Sequence, residues 1–299
     1  MGLARSLLVT FRLEQWIKNL VVFAGLIFGQ KTMGRDLFEP RAVGLAVAAF
    51  VIFCGLSSAV YTLNDVVDRE ADRRHPLKRR RPIASGALSP SVALTVAGAV
   101  GGAALAAAFW LRPQFGAIAS LYLLLLGLYS GPLKHVVIID VLTIAVGFVL
   151  RAAAGAVAIA VPISHWLLVC TILLALFLAL SKRRHELVLL ADGASEHRRI
   201  LGEYSPYLLD QMIGVVTAST LIAYIFYTIS PDTVEKFGTN RLGLTIPFPL
   251  YGIFRYLYLV HRKEGGGSPA EMLLTDRPLL ACVGLWAATV VLIIYKDSF

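Results

Sequence analysis

The sequence predicts an all-α, polytopic integral membrane protein, and three observations carry that prediction. The 299 residues are 57% hydrophobic and only 16% charged, with a mean hydropathy of +0.72, whereas a soluble domain carries about 25% charged residues. Apolar runs of about 17–25 residues, the length that spans a bilayer as a helix, recur along the whole chain. The Lys and Arg residues gather in alternate loops, as the positive-inside rule requires of a multi-pass protein.

Nine runs are long and apolar enough to span: 15–33, 42–66, 91–111, 114–131, 137–160, 164–184, 207–230, 242–261 and 278–296. They are read as one membrane domain over 1–299. Residues 1–14 precede them as an amphipathic interfacial helix whose apolar stripe is Leu3, Leu7, Leu8 and Phe11. No cleavable signal peptide is read at the start. The third run is rich in Gly and Ala, which suits close helix packing. Most of the 28 Lys and Arg fall in the N-terminal segment and in the loops after spans two, four, six and eight. That asymmetry puts the N-terminus and those loops in the cytoplasm, with the protein in a bacterial-type plasma (inner) membrane.

The net charge of +9 sits in membrane loops, so anionic headgroups and phosphorylated substrates are expected as partners and nucleic acid is not. Cys54, Cys170 and Cys282 are dispersed in apolar runs and read as packing residues. The composition allows a homo-oligomer without specifying one.

The polar chemistry converges on the same loops. Span two ends in Asn64, Asp65, Asp68 and Asp72. A helix turns about 100° per residue, so Asn64, Asp68 and Asp72 fall within about 80° of one another and Asp65 lies at about 100°. Oxygen donors stacked in this way suit Mg²⁺ and leave room for phosphate oxygens. Lys78, Arg79 and Arg81 follow at once in a basic run, which suits the phosphates themselves. The loops 67–90 and 185–206 are the expected catalytic segments. Tyr129 and Lys134 flank the end of span four, and Lys182, Arg183 and Glu186 end span six. Lys182 and Glu186 are spaced to pair on a helix surface, and Lys18, near Trp16, also suits an interfacial anchor. Asp140 and Arg151 share one face of span five, about 16 Å apart along it. Charges at that depth point into a bundle or a polar cavity, either as an interhelical ion pair or, for Arg151, as a phosphate grip.

The Asn-Asp-x-x-Asp-x-x-x-Asp motif over 64–72, ending the second of nine helices, resembles the UbiA superfamily of intramembrane prenyltransferases. The resemblance implies a UbiA-like bundle and Mg²⁺ held by two acidic motifs that ionise an isoprenyl diphosphate. The sequence departs from that pattern at the end of span six. Lys182-Arg183-Arg184-His185-Glu186 stands where the family has an Asp-x-x-x-Asp, which trades metal ligands for affinity toward a further phosphate. The stretches 15–19, 64–72, 75–86, 129–134 and 140–152 are similar to the polyprenyl-phosphate (decaprenyl-phosphate) phosphoribosyltransferase branch. That branch moves phosphoribose from phosphoribosyl pyrophosphate (PRPP) to a polyprenyl phosphate for cell-envelope glycans.

The resemblance implies these roles. Asp68 and Asp72, helped by Asn64 or Asp65, hold Mg²⁺ on the donor pyrophosphate, and Lys78, Arg79 and Arg81 neutralise it. Lys182 and Arg183 hold the ribose 5-phosphate. Lys18, Lys134 and Arg151 hold the lipid phosphate or the donor's other face, with Tyr129, Asp140 and Glu186 completing the binding set. Prenylation of an aromatic acceptor is the competing activity, and a transporter or lipid-binding protein is the non-enzymatic alternative.

Overall fold

Proline marks where many of the helices begin. The computed structural model describes residues 2–29, 39–76, 78–163, 165–190, 199–262 and 269–295. Pro40, Pro90, Pro113, Pro206 and Pro231 each stand in the first turn of a helix. There the missing N–H has no partner to lose and the fixed φ already suits the helix. In chain order the α-helices are α1 Leu3–Phe11, α2 Ala24–Gly29, α3 Pro40–Val67, α4 Arg69–Arg74, α5 Pro90–Leu111, α6 Pro113–Ser130 and α7 Ile139–Ala158. They continue as α8 His165–Leu190, α9 Pro206–Ile229, α10 Pro231–Phe237, α11 Pro247–Arg262, α12 Pro269–Thr275 and α13 Arg277–Tyr295. No strand occurs among the described residues.

Seven of the described helices, α3, α5, α6, α7, α8, α9 and α13, are long and apolar enough to cross a membrane. The two other expected spans take a different form. Span 15–33 is a 3-10 helix over Leu13–Phe23 that runs into α2, and residues 30–38 lie outside the described set. Span 242–261 divides into a 3-10 helix over Arg241–Thr245 and the 16-residue α11. Pro247 has no N–H to offer the carbonyl one turn back, so the helix restarts there.

Small residues set the closest contacts. A Cβ on Gly55 of α3 would lie 3.2 Å from Ala104 Cβ of α5, and one on Gly101 would lie 3.1 Å from Ala59 Cβ. The Gly- and Ala-rich third run therefore does pack tightly, against α3. Tighter still is the seam where the first 3-10 helix and α2 cross α7. A Cβ on Gly155 would lie 1.9 Å from the Val22 carbonyl oxygen, and one on Gly25 would lie 2.8 Å from the Ala156 backbone. Backbone lies on backbone there, and the seam fixes where Lys18 and Asn19 stand. At the other end, α1 packs on α3 with Ser6 and Thr10 inward and Leu3 and Leu8 exposed, an outward apolar face that suits lipid.

Gly155→Ala is expected to push the Leu13–Phe23 segment off α7 and to destabilise by about 1–3 kcal/mol, the cost of overpacking. Gly214→Ala, where a Cβ meets nothing within 4 Å, is expected to melt with the wild type. Detergent melting curves check both, and equal melting of the two variants would contradict the seam.

Candidate active site

The acidic turn forms where α3 gives way to α4. Asp68 stands between the two helices with φ −86° and ψ 5°. The chain stays close to helical there, since Asp68 N–H donates to Asn64 O at 2.9 Å and Asp72 N–H donates to Asp68 O at 2.8 Å. Asp65 and Asp72, two turns apart, share a side and are both buried. They converge on one atom: Arg81 Nη1 donates to Asp65 Oδ1 at 3.0 Å and to Asp72 Oδ2 at 2.6 Å. Arg12 also pairs with Asp65, its guanidinium 5.2 Å over the Tyr61 ring. Asp68 takes a different partner, Lys134, whose Nζ donates to Oδ1 at 2.5 Å. Asn64 is half-buried. The grouping therefore differs from the sequence expectation, which led with Asp68 and Asp72.

Whether this turn suits a divalent metal follows from its donors. Among the described residues, no three acidic, His or Cys side chains gather closely enough to hold a metal by themselves. Two carboxylates nonetheless reach one cationic nitrogen, so an oxygen-lined point for positive charge exists. Mg²⁺ is ordinarily held by one or two carboxylates together with substrate phosphates. The turn fits that mode.

Deeper in the bundle, Arg151 is 4% exposed and has no carboxylate within ion-pair distance among the described residues. Neutral groups hold it. Its Nε donates to Asn19 Oδ1 at 2.8 Å and its Nη2 to Tyr122 OH at 2.6 Å. It also lies 4.7 Å over Tyr122 and 5.1 Å over Phe148. Ser57 ties the cluster to α3, donating to Asn19 Oδ1 and lying 3.3 Å from Tyr122 OH. Gly147 sits beside Arg151 Nη1, and a Cβ there would make only ordinary contacts. Lys18 lies within electrostatic range of Arg151, Arg12 and Glu14 and of Lys182, and it makes no hydrogen bond or ion pair among the described residues. Lys182 is half-exposed, 3.9 Å from Glu186.

Arg183 departs furthest from expectation. It is 2% exposed, and protein groups occupy its whole fork. Nε donates to Asp140 Oδ2 at 2.7 Å, Nη1 to Glu186 Oε2 at 2.7 Å and Nη2 to Tyr129 OH at 3.0 Å. Tyr204 OH donates to the other Asp140 oxygen at 2.9 Å. The interhelical ion pair on span five is thus made by Asp140 with Arg183, while Arg151 makes none among the described residues. Arg183, Asp140 and Tyr129 form an interhelical clamp, and this arrangement leaves Lys182, not Arg183, exposed to a ligand. Burial pushes the Tyr204 hydroxyl up to about 12 from its ordinary 10.

The remaining predicted residues are peripheral. Arg79 is exposed and Lys78 half-buried in a short 3-10 turn. Residues 191–198 of the second expected loop lie outside the described set. Sequence reasoning missed Arg12, Asn19 and Tyr122. Asn19, a lone amide entering an apolar run, carried a signal. Tyr122 carried none, because a tyrosine in such surroundings reads as packing. Tyr204 fell within the expected loop 185–206, but its bonds to Ile138 and Asp140 were not foreseen.

An apolar cavity of about 480 Å³ lies between residues that neighbour Lys18 and Lys182 in sequence. Leu20 and Val21, just after Lys18, line it, as do Leu174 and Leu178 on the turns of α8 before Lys182. Phe28, Tyr227 and Trp286 line it as well, packed ring to ring with centroids 6.3 Å apart.

Two stability outcomes follow. Asp140→Asn removes the fully buried carboxylate partner of Arg183 and leaves only the partly exposed Glu186 to neutralise it, at an expected cost of about 1.5–3 kcal/mol, whereas Glu70→Gln, from an exposed pair with Arg73, is expected to cost at most about 1 kcal/mol. Detergent unfolding of both variants checks the contrast. Tyr204 holds its proton more tightly folded than unfolded, so its contribution is complete below pH about 10 and is lost as pH rises from about 10 to about 12. Tyr204→Phe should remove that alkaline component from a stability–pH curve.

The model of the UbiA prenyltransferase family matches residues 21–275. The decaprenyl-phosphate phosphoribosyltransferase of Mycolicibacterium smegmatis is 32% identical over 303 residues, covering 98% of this chain and 94% of that protein. Its namesake from Mycobacterium tuberculosis is 33% identical over 292 residues, covering 97% and 94%. Among solved structures, a UbiA homologue from Archaeoglobus fulgidus bound to GPP and Mg²⁺ superposes with a TM-score of 0.74 at 18% identity, covering 97% of this chain and 99% of that one.

Proposed function

The chain belongs to the UbiA prenyltransferase family, and on that premise we propose that it transfers 5-phosphoribosyl from PRPP to a polyprenyl phosphate, releasing pyrophosphate. One observation carries this reading. Arg151 is buried with no carboxylate within ion-pair distance among the described residues, and Lys18, itself within electrostatic range of Arg151 and Lys182, makes no ion pair there either. A buried guanidinium held only by neutral groups is costly and suits an anionic ligand, whose apolar tail the cavity lined by Leu20, Val21, Leu174 and Leu178 would take. The name of the relatives at 32% and 33% identity supports the same substrate class, as does the absence of an Asp-x-x-x-Asp from the end of α8.

In the proposed reaction an oxygen of the lipid phosphate attacks ribose C1, and the C1–pyrophosphate bond breaks with its electron pair leaving on the pyrophosphate. A phosphate monoester is already ionised near neutral pH, so no side chain has to act as general base. Asp65 and Asp72, with Asn64 and Asp68 on adjoining turns, would hold Mg²⁺, which when bound offsets charge on the leaving group. Arg81, held against Asp65 and Asp72, meets the leaving pyrophosphate, and Lys78 and Arg79 in the preceding turn add positive charge from the periphery. Lys182 takes the ribose 5-phosphate and Lys18 and Arg151 the lipid phosphate. Lys134 balances Asp68. Catalysis then rests on positioning and fixed charge. The tail follows the cavity, whose volume is in the range of small-ligand sites, and a long chain continues from there into the bilayer.

The same reading includes nine membrane crossings, with the Leu13–Phe23 segment joined to α2 and α11 joined to its 3-10 lead as the two beyond the seven long helices. It places the N-terminus and the site on the cytoplasmic side of a bacterial-type inner membrane, in the synthesis of lipid-linked sugars for the cell envelope.

Ribose-labelled PRPP, polyprenyl phosphate and Mg²⁺ should carry label into the lipid phase, with transfer abolished by EDTA and reduced at least about a hundredfold in Asp68→Asn. Lys18→Met should raise the KM for the lipid phosphate roughly tenfold, the worth of a hydrogen bond to a charged group. Folded enzyme that moves no ribose but prenylates an aromatic acid from a prenyl diphosphate would overturn the proposal in favour of ordinary family chemistry.

A further inference from the structure

Ile138 occupies the most demanding backbone position in the described chain. Its φ is 69° and its ψ −43°. Arg12 and Ala160 also have positive φ, but Ile138 is β-branched, and for such a side chain this region is a genuine outlier. A conformation of this kind persists only where its surroundings impose it. The Ile138 side chain imposes little, being 46% exposed.

The constraint comes from Tyr204. Ile138 N–H donates to Tyr204 OH at 2.8 Å, and the same hydroxyl donates to Asp140 Oδ1 at 2.9 Å. Tyr204 is itself fixed. Its ring is buried in a core with Val141, Phe177 and Leu209, and Asp140 is locked by Arg183. The turn that Ile138 closes, between α6 and α7, carries Lys134, whose ammonium reaches Asp68. We propose that Tyr204 is a positioning residue: its hydroxyl holds Ile138 at positive φ and thereby presents Lys134 to Asp68. The segment that follows α8 thus sets the charge balance of the acidic turn on α3 and α4, with which Tyr204 shares no direct hydrogen bond. The effect on turnover rests on the transferase reading, whereas the effect on Lys134 does not.

The test uses the full chain in detergent, with amine acylation of Lys134, whose side chain is 12% exposed in its pair with Asp68, read by mass spectrometry beside the transfer assay. Tyr204→Phe keeps the ring and removes the hydroxyl. It should raise Lys134 labelling by roughly fivefold or more, the population change that about 1 kcal/mol brings, and should slow transfer. Ile138→Gly alone should behave as wild type. Combined with Tyr204→Phe it should restore protection, because glycine takes φ of 69° without help. Ile138→Pro, which fixes φ near −65° and has no N–H, should release Lys134 while leaving the core untouched. Unchanged labelling in Tyr204→Phe or in Ile138→Pro overturns the proposal. So does a double variant no better protected than Tyr204→Phe, which would make Tyr204 a packing residue. If ribose transfer is absent altogether, labelling still decides the positioning role, so the two claims fail separately.

Discussion

A carboxylate or guanidinium buried in an apolar bundle must be neutralised or solvated by protein, and this requirement organises one end of the molecule. Asp65 and Asp72 are held by Arg81, with Arg12 added from the N-terminal segment. Asp68 is held by Lys134 from the α6–α7 turn, and Asp140 by Arg183 from α8. The pairs made by Arg12, Lys134 and Arg183 join elements distant in sequence. The pairs therefore act as registration devices as much as stabilisers, since a buried ion pair gains little net energy over apolar packing but costs a great deal to break on one side.

Against that background, the cations that lack such partners stand out. Arg151 is held by an amide, a phenol and two aromatic faces, and Lys18 by no hydrogen bond among the described residues. The arrangement keeps positive charge inside the protein without spending it on a carboxylate. In the proposed reaction this charge meets the lipid phosphate and the apolar cavity takes its tail. Arg12 links the two regions electrostatically, pairing with Asp65 of the acidic turn and lying within range of Lys18. The proposed reaction asks for a site for the metal-bound pyrophosphate, one for the lipid phosphate and a third for the ribose 5-phosphate, which the reading assigns to the half-exposed Lys182.

Much of this was legible in the chain. Hydropathy predicted the seven long helices, because lipid leaves a helix no polar alternative. The acidic motif and the missing second one pointed to the branch. The first and eighth expected spans were less legible. Gly25 against Ala156 and Gly155 against Val22 draw the first against α7 through backbone contact that hydropathy does not record, and Pro247 divides the eighth. Pairings were the least legible. Wheel geometry grouped Asn64, Asp68 and Asp72, but partners chosen across space by Arg81 and Lys134 regrouped the acids. Arg183 read as a ligand-binding base beside Lys182, yet the neighbouring helices bury it, a difference of one residue and about 100° around α8.

The central claim is that the basic cluster reads a phosphate that an ordinary prenyl diphosphate lacks. Calorimetric titration of the purified protein with PRPP and with inorganic pyrophosphate, both in Mg²⁺, tests it most directly. The account predicts saturable binding of PRPP at least about tenfold tighter than that of pyrophosphate, the worth of one charge-assisted contact. Equal affinity for the two would contradict it, because the site would then be reading the pyrophosphate alone.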